Sequence, residues 1–377
     1  MEERAYCLAW SQISGVGPVA LKRLQERFGQ LSQAWGADSQ TLATVPGMGP
    51  QTLQTIENYR KSVDPSQLLS EHQQRNPHFW SMADAPYPRM LLEMGDPPPL
   101  LYYRGQVQIT ENQGNTPLVG IVGTRDPSEY AKRWTRKIAY ALAQRGMTVV
   151  SGMAEGIDTQ AHLGCLDGGG RTIAVLGTGV DMIYPPRNQG LYQKIQDQGL
   201  LVSEYPAGTQ PNRAHFPRRN RIVAGLSRAV LVMEAPSKSG ALITAYQANE
   251  YGRDIYVLPG SLDNPRAIGC LGLVQRGAHL ILGIGQLLDQ LGMIPPLQPE
   301  APSPSPLDIP PSLPPEQATL LATLVQLCQQ SAEGSVPFDL LVQTLNQPAG
   351  QLSGLILQLE LQGCVTQLPG MRYAPRM

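Results

Sequence analysis

The sequence has little charge and no excess of positive charge. Only 16% of its 377 residues are charged, and 29 Lys and Arg stand against 30 Asp and Glu, which gives a formal net charge of -1. A chain without an overall basic bias can bind nucleic acid only through a local patch. Long apolar runs are also missing, and the first residues, MEERAYCLAW, are acidic where a secretory signal would be basic. We therefore expect a cytoplasmic protein without a membrane partner.

Cysteine is scarce, and the common catalytic signatures are absent. The five cysteines lie far apart in the sequence, at Cys7, Cys165, Cys270, Cys328 and Cys364. Zinc and redox motifs need close pairs, so we interpret all five as buried, reduced structural thiols. Walker, His-Glu-x-x-His and Gly-x-Ser-x-Gly motifs are missing, and no cofactor is predicted. His162 follows Asp158 by four residues without a third ligand, which favours a hydrogen bond on one helix face over a metal site.

Glycine and proline, in contrast, are abundant, and the prolines mark a boundary. Ten of the 21 residues at 295–315 are proline, a density that excludes helix and sheet and predicts an extended spacer. After it, three helical runs and the segment VTQLPGMRYAP predict a winged helix. Its third helix, QLSGLILQLELQG, contains no Lys or Arg. We therefore expect a protein-contact, regulatory or structural role for this domain rather than duplex reading.

The N-terminal segment carries one short unit twice, ISGVGP at 13–18 and VPGMGP at 45–50, each followed by a helical pattern. This is the helix-hairpin-helix pattern, in which glycine amides at a helix start can meet a phosphate. The alternative is that the two hairpins only pack on each other, because Lys22 and Arg23 are the only nearby positive charges.

The region at 118–291 alternates short apolar runs with helical stretches. The runs are LVGIVG, MTVVSG, RTIAVLG, LLVSEYP, AVLVMEA, DIYVLPG and HLILG. This alternation predicts an α/β fold, a doubly wound, Rossmann-like, mostly parallel sheet whose ligands bind outside the carboxyl ends of the strands. The predicted organisation is a helix-hairpin-helix (SAM-like) domain at 1–62, an extended Rossmann-like domain at 63–293, a Pro-rich linker at 294–315 and a winged helix at 316–377.

Four glycine-bearing turns are the first candidates for a binding site. Three follow predicted strands and one precedes a helix: VGTRDPS (122–128), SGMAEGID (151–158), LGTGVD (176–181) and SKSGALITA (237–245). Ser128, or Ser239 beside Gly240, could cap a helix whose free amides face a phosphate. Arg125 adds a permanent charge. The turns predict a site for phosphate groups, either of a nucleotide or of a polynucleotide.

A second candidate is the segment 205–233, which contains five arginines and no acidic residue: Arg213, Arg218, Arg219, Arg221 and Arg228. We expect this segment to create a local positive field. Phe216 lies at its centre, and basic charge with an interleaved aromatic is typical of single-strand binding. The alternative is that Phe216 is buried and the arginines pair with carboxylates such as Glu204 or Glu234.

At these residues the sequence resembles the DNA processing protein A family, also called Smf. The resemblance rests on VGTRDPSEY, SGMAEGIDTQAH, PPRNQGLY, FPRRNRIVAGLS, VMEAPSKSGALITAYQANEYGR and LPG at 258–260. It implies binding of single-stranded DNA without sequence specificity, protection of incoming strands in natural transformation and loading of the RecA recombinase. It also implies a homodimer through the Rossmann-like domains and no catalytic turnover.

The family's DNA pocket, carried over by position, falls on a defined set of residues in this sequence: Arg125, Arg187, Arg213, Phe216, Arg219, Asn220 and Arg221. With the turn residues Ser128, Ser239 and Gly240, these are the predicted DNA-binding residues. The sequence departs from the family at 269–274, where an amide side chain is lost. The alternative function is a nucleotide-binding hydrolase of the lysine-decarboxylase-like group, but that group's Pro-Gly-Gly-x-Gly-Thr loop reads PSKSGALITA here.

Overall fold

The computed structural model describes residues 3–293, 314–330, 335–345, 347, 349–362, 364–368 and 371–375. The chain divides into two compact units, Met1–Leu297 and Gln298–Met377. The spacer predicted at 294–315 lies outside the described residues, except for its last two.

Six helices open the first unit: α1 (Glu3–Ser11), α2 (Pro18–Phe28), α3 (Leu31–Gly36), α4 (Ser39–Ala43), α5 (Pro50–Ser62) and α6 (Pro65–Arg75). The repeated sequence unit ends each time in a glycine N-cap followed by a proline in the first helical turn, where a missing N–H costs nothing. Arg23 donates to the carbonyl of Pro46, and Lys22 donates to those of Leu92 and Met94. Both positive charges are therefore used in packing contacts.

A nine-stranded sheet forms the centre of this unit. Its strands are β1 (Phe79–Ser81), β2 (Leu100–Gly105), β3 (Leu118–Val122), β4 (Thr148–Ser151), β5 (Thr172–Leu176), β6 (Leu200–Ser203), β7 (Ala229–Val232), β8 (Asp254–Val257) and β9 (His279–Leu280), in the order β1-β2-β6-β5-β4-β3-β7-β8-β9. The seven predicted strands, β3 to β9, are confirmed and pair in parallel. Strands β1 and β2 were not predicted, and they extend one edge in antiparallel pairing.

Helices connect these strands: α7 (Arg89–Leu92), α8 (Ile109–Asn112), α9 (Glu129–Gln144), α10 (Ile157–Asp167), α11 (Gln189–Gln198), α12 (His215–Leu226), α13 (Gly240–Glu250), α14 (Ile268–Val274) and α15 (Ile284–Met293). Strands β3 to β7 are buried along their whole length because helices cover both faces of the sheet. The strand order reverses between β3 and β7. This reversal opens a crevice at the carboxyl ends of the central strands, where doubly wound proteins bind ligands.

The second unit is a winged helix, as predicted. It contains α16 (Pro315–Gln330), β10 (Val336–Pro337), α17 (Phe338–Leu345), α18 (Ala349–Leu361), β11 (Val365–Leu368) and β12 (Arg372–Pro375), with the strands in the order β10-β12-β11. Leu324, Leu341 and Leu359 are fully buried in its core. Within the described ranges of both units, no helix is long and apolar enough to span a bilayer.

Candidate functional site

A cavity of about 210 Å³ lies at the carboxyl ends of the central strands. Its lining comes from the turns after β3 and β4, the segment after β5 and the start of α12: Arg125, Gly152, Met153, Ala154, Glu155, Tyr184, Pro185, Phe216 and Arg219. The structure thus brings Arg125 together with Phe216, which lies 91 residues later in the sequence. Three of the four predicted glycine turns meet here, because Gly177 of the third turn lies directly against the ring of Phe216.

An aromatic stack forms one wall of the cavity. The rings of Phe216 and Tyr184 are stacked, with centroids 5.4 Å apart and an angle of 29° between their planes. The guanidinium carbon of Arg125 lies 5.8 Å from the centroid of Phe216, and that of Arg219 lies 6.0 Å away. Phe216 is half-buried and Tyr184 is exposed. The alternative of a buried Phe216 is therefore wrong, and part of the stack is exposed to solvent.

Arg219 forms the floor of the cavity. Its guanidinium is buried and donates to the carbonyls of Gly152 and Val175. Burial lowers the pKa of Arg219 to about 10, and the nearby carboxylate of Asp158 partly opposes this shift. A Cβ at Gly152 would lie 2.7 Å from the Nη2 atom of Arg219, so any larger residue would force this buried guanidinium to move. Arg219 therefore holds the strand ends together beneath the aromatic stack.

Three other arginines of the segment are engaged elsewhere. The Nη2 atom of Arg221 lies 2.6 Å from Glu204 Oε2, and Arg218 Nε lies 3.5 Å from the same oxygen. Arg228 is buried and donates to the carbonyl of Gly114. The prediction of five arginines without a countercharge is therefore wrong. Buried guanidinium groups need partners, and Glu204 immediately precedes the segment.

Two arginines of this segment are exposed, Arg213 and Arg218. Arg213 lies just before α12, and no ion pair is found for it among the described residues. Arg125, on the loop after β3, is also exposed. The free positive charge at the site thus comes from a few separate positions rather than from a continuous field.

A buried carboxylate holds the loop that presents Arg125. Ser128 caps α9 as predicted, since its Oγ accepts from the Ala131 N–H at 3.2 Å. The carboxylate of Glu234 accepts from the N–H and the hydroxyl of Ser128 and from the amide of Asn264, each at 2.8 Å. The chain's own carboxylate therefore occupies the helix start where a phosphate was expected, and Glu234 pairs with Ser128 rather than with an arginine.

The fourth predicted turn lies beside the cavity rather than in it. Ser239 caps α13 as predicted and accepts from the Ala241 N–H at 3.2 Å. The carbonyl of Gly240 accepts from the side-chain amide of Asn220 at 3.3 Å. These three residues connect α12 to α13, and none of them lines the cavity.

The sequence predicted the turns after β4 and β5 as candidates, but it did not single out Met153, Glu155 or Tyr184 as site residues. Glu155 lines the cavity, and its Oε2 lies 3.7 Å from the Nη1 of Arg187, which is strongly exposed. Met153 has a φ of +64°, and Asn188 donates to its carbonyl at 2.9 Å. A strained non-glycine backbone of this kind clusters at functional sites. Tyr184 could have been identified from the sequence, because it directly precedes the PPRNQGLY motif in the segment after β5.

The remaining titratable candidates are structural. His162 is buried, and its Nδ1 lies 2.7 Å from Thr172 Oγ1, so the predicted hydrogen bond to Asp158 is wrong. Burial lowers the pKa of His162 to about 3, with Arg219 contributing in the same direction. All five cysteines are free thiols, but only Cys7, Cys165 and Cys270 are buried as predicted, whereas Cys328 and Cys364 are half-buried. In the part of the chain that the structure describes, no cluster of His, Cys, Asp and Glu could hold a metal ion.

Comparison with known proteins gives matches in both units. Residues 78–292 match the family model described as DNA recombination-mediator protein A, and residues 298–371 match the DprA winged helix domain. Protein Smf of Synechocystis sp. is 48% identical over 99% of each chain. The crystal structure of DNA processing protein A from Streptococcus pneumoniae is 35% identical with a TM-score of 0.65, covering 77% of this chain and 98% of that one. A structure of DNA processing protein A from Helicobacter pylori, described for its single-stranded DNA binding mode, is 33% identical with a TM-score of 0.51, covering 56% and 95%.

Proposed function

Because the chain belongs to the DNA recombination-mediator protein A family, we propose that it binds single-stranded DNA through the cavity at Phe216. In this proposal it protects incoming strands during natural transformation and loads the RecA recombinase onto them. The similarity to the Helicobacter pylori protein supports single-strand binding. The loading of RecA rests on family resemblance and needs its own experiment.

The observation that carries the proposal is the open stack of Phe216 on Tyr184 beneath Arg125. An unpaired base can add to this stack, because every base has a flat π-face that stacks on an aromatic ring irrespective of sequence. Arg125, Arg187 and Arg213 are exposed and can contact phosphates along the strand. A base inside a duplex cannot enter the cavity without being flipped out, which costs a few kcal/mol.

The predicted site residues divide into two groups in this proposal. Arg125, Arg187, Arg213 and Phe216 contact the strand directly. The others shape the site from below or beside it: Ser128, Arg219, Asn220, Arg221, Ser239 and Gly240. The ion pair of Arg221 with Glu204 anchors α12, so we propose that Arg221 positions Phe216 rather than a phosphate.

We propose a binding protein rather than an enzyme. In the alternative, a nucleotide hydrolase would use the α9 start as a phosphate site. Glu234 fills that position with a negative charge and three hydrogen bonds. A phosphate there would face a buried like charge, which disfavours it strongly.

We also propose that the protein acts in the cytoplasm as a homodimer through the Rossmann-like domain.

The four-part organisation, with boundaries at 62, 293 and 315, remains our proposal. It predicts that deletion of 298–377 leaves single-strand affinity within about twofold of the full chain, because the site lies entirely in the first unit. A loss of more than tenfold would move the site to the winged helix.

Two assays on the full chain test the cellular role. The first is protection of a labelled single strand from an exonuclease. The second is the rate of RecA assembly on a strand already covered by single-strand binding protein. We expect protection and faster assembly, and both should weaken when Arg125 and Arg213 are replaced by alanine. Protection without faster assembly would remove RecA loading from the proposal and leave the binding function.

A further inference from the structure

We propose that Glu155 gives the cavity a preference for guanine over the other bases. This inference rests on the proposed single-strand binding and adds a ligand class to the same site. Glu155 lines the cavity beside the aromatic stack, and its side chain is 42% exposed. A carboxylate in a site for a polyanion repels phosphate groups. We therefore expect the phosphates of a bound strand nearest the cavity to lie toward Arg125 rather than beside Glu155, and a base to face Glu155.

The size and walls of the cavity fit one base. Its volume of about 210 Å³ is below the roughly 300 to 1,000 Å³ of pockets for drug-sized ligands. Phe216 and Tyr184 supply a flat wall on which a base stacks. The backbone at 152–155 supplies the neighbouring surface and places Glu155 at the cavity lining. We therefore expect a base that adds to this wall to turn its hydrogen-bonding edge toward Glu155.

The carboxylate of Glu155 is not committed to another partner. The ion pair found for it in the described part of the chain is with Arg187 at 3.7 Å, which is longer than a hydrogen bond. The side chain of Arg187 is 84% exposed, and such surface pairs contribute little to stability. Both carboxylate oxygens can therefore accept hydrogen bonds from a ligand.

The chemistry of an ionised carboxylate selects among the bases. It only accepts hydrogen bonds, and guanine offers two adjacent donors on its pairing edge, N1–H and the N2 amino group. Adenine and cytosine each offer one amino group beside an acceptor. Thymine offers one N–H between two carbonyl oxygens, which a carboxylate repels. We therefore expect the order guanine, then adenine and cytosine, then thymine.

The expected preference is modest. A bidentate contact to a base gives between about fivefold and a hundredfold discrimination. We expect about fivefold for guanine over thymine, because Glu155 remains partly in water. A long strand offers many registers, so binding to it stays almost independent of sequence.

The experiment compares pentanucleotides with the full-length protein by competition against a labelled oligothymidylate. The competitors are dTTGTT, dTTTTT and dTTITT, in which hypoxanthine keeps N1–H and lacks the N2 amino group. We expect dTTGTT to bind about fivefold more tightly than dTTTTT, with dTTITT between them. In the Glu155→Gln variant the ratio should fall to about one. Glu71→Gln, which removes an exposed charge on α6, is the matched control and should keep the ratio.

The other outcomes are distinguishable. Equal binding of the three pentanucleotides by the wild type overturns the inference and leaves the proposed function intact. Tighter binding of all three by Glu155→Gln, with an unchanged ratio, would show that Glu155 only repels phosphates. Absence of binding to the labelled oligothymidylate would instead contradict the proposed function itself.

Discussion

Replacement of Phe216 by leucine tests the aromatic stack directly. Leucine keeps an apolar side chain against Gly177 and Tyr184 but has no π-face for a base. Stacking contributes roughly 1 to 3 kcal/mol per base, and tenfold in affinity corresponds to about 1.4 kcal/mol. We therefore expect Phe216→Leu to weaken single-strand binding by between about fivefold and a hundredfold. The stability should change by less than about 1.5 kcal/mol, since the substitution keeps most of the volume.

The assay is fluorescence anisotropy of a labelled oligothymidylate at fixed salt, with thermal unfolding of the same samples. Phe28→Leu is the matched control, because Phe28 is also half-buried but ends α2, far from the cavity lining. It should leave the affinity unchanged. If Phe216→Leu binds within twofold of the wild type while both variants remain folded, the ring does not stack on a base.

Three further predictions address the charges around the site. If three exposed arginines contact phosphates, the logarithm of the affinity should fall with the logarithm of the salt concentration with a slope near -2. Arg213→Gln should make this slope shallower by about 0.7. An unchanged slope would show that Arg213 does not contact a phosphate. Glu234→Gln removes one of three hydrogen bonds to a buried carboxylate, so the free energy of unfolding should fall by about 1.5 to 3 kcal/mol. Single-strand affinity should also fall, because the loop that carries Arg125 loosens. Wild-type values in both measurements would show that Glu234 does not hold this loop. The pKa of His162 is about 3 in the folded protein, against an ordinary value of 6.5. Below pH 6.5 the unfolded state therefore binds one more proton than the folded state. The free energy of unfolding should fall with the pH in this range by at most about 1.4 kcal/mol per pH unit. Denaturant titrations between pH 7 and 4.5 should show a flatter profile for His162→Gln, and equal profiles would contradict the buried, neutral imidazole.

The core of the fold could be predicted because the signals were local. Strands β3 to β7 are short β-rich runs buried along their whole length, so their apolar residues are contiguous and end at a turn. Strands β1 and β2 were missed for the opposite reason. Strand β1 has three residues, and β2 follows three prolines at 97–99, so neither gives a periodic signal before it pairs with the sheet edge.

The site could be predicted only in part, because ion pairing is a tertiary property. The five arginines from Arg213 to Arg228 form an uninterrupted positive segment in the sequence. Packing of α12 on the sheet buries Arg219 and Arg221, and Glu204 at the end of β6 neutralises one of them. The stacking of Tyr184 on Phe216 joins residues 32 positions apart. Neither relation has a local pattern that a single sequence could reveal.

In our proposal the aromatic stack beside Arg125 binds an unpaired base. The most direct measurement is the affinity of the full-length protein for one oligonucleotide sequence as a single strand and as a blunt duplex, for the wild type and for the Arg125→Ala, Phe216→Leu double variant. We predict that the wild type binds the single strand at least tenfold more tightly and that this preference disappears in the variant. Equal or tighter binding of the duplex by the wild type, or an unchanged preference in the variant, would show that the stack does not bind an unpaired base.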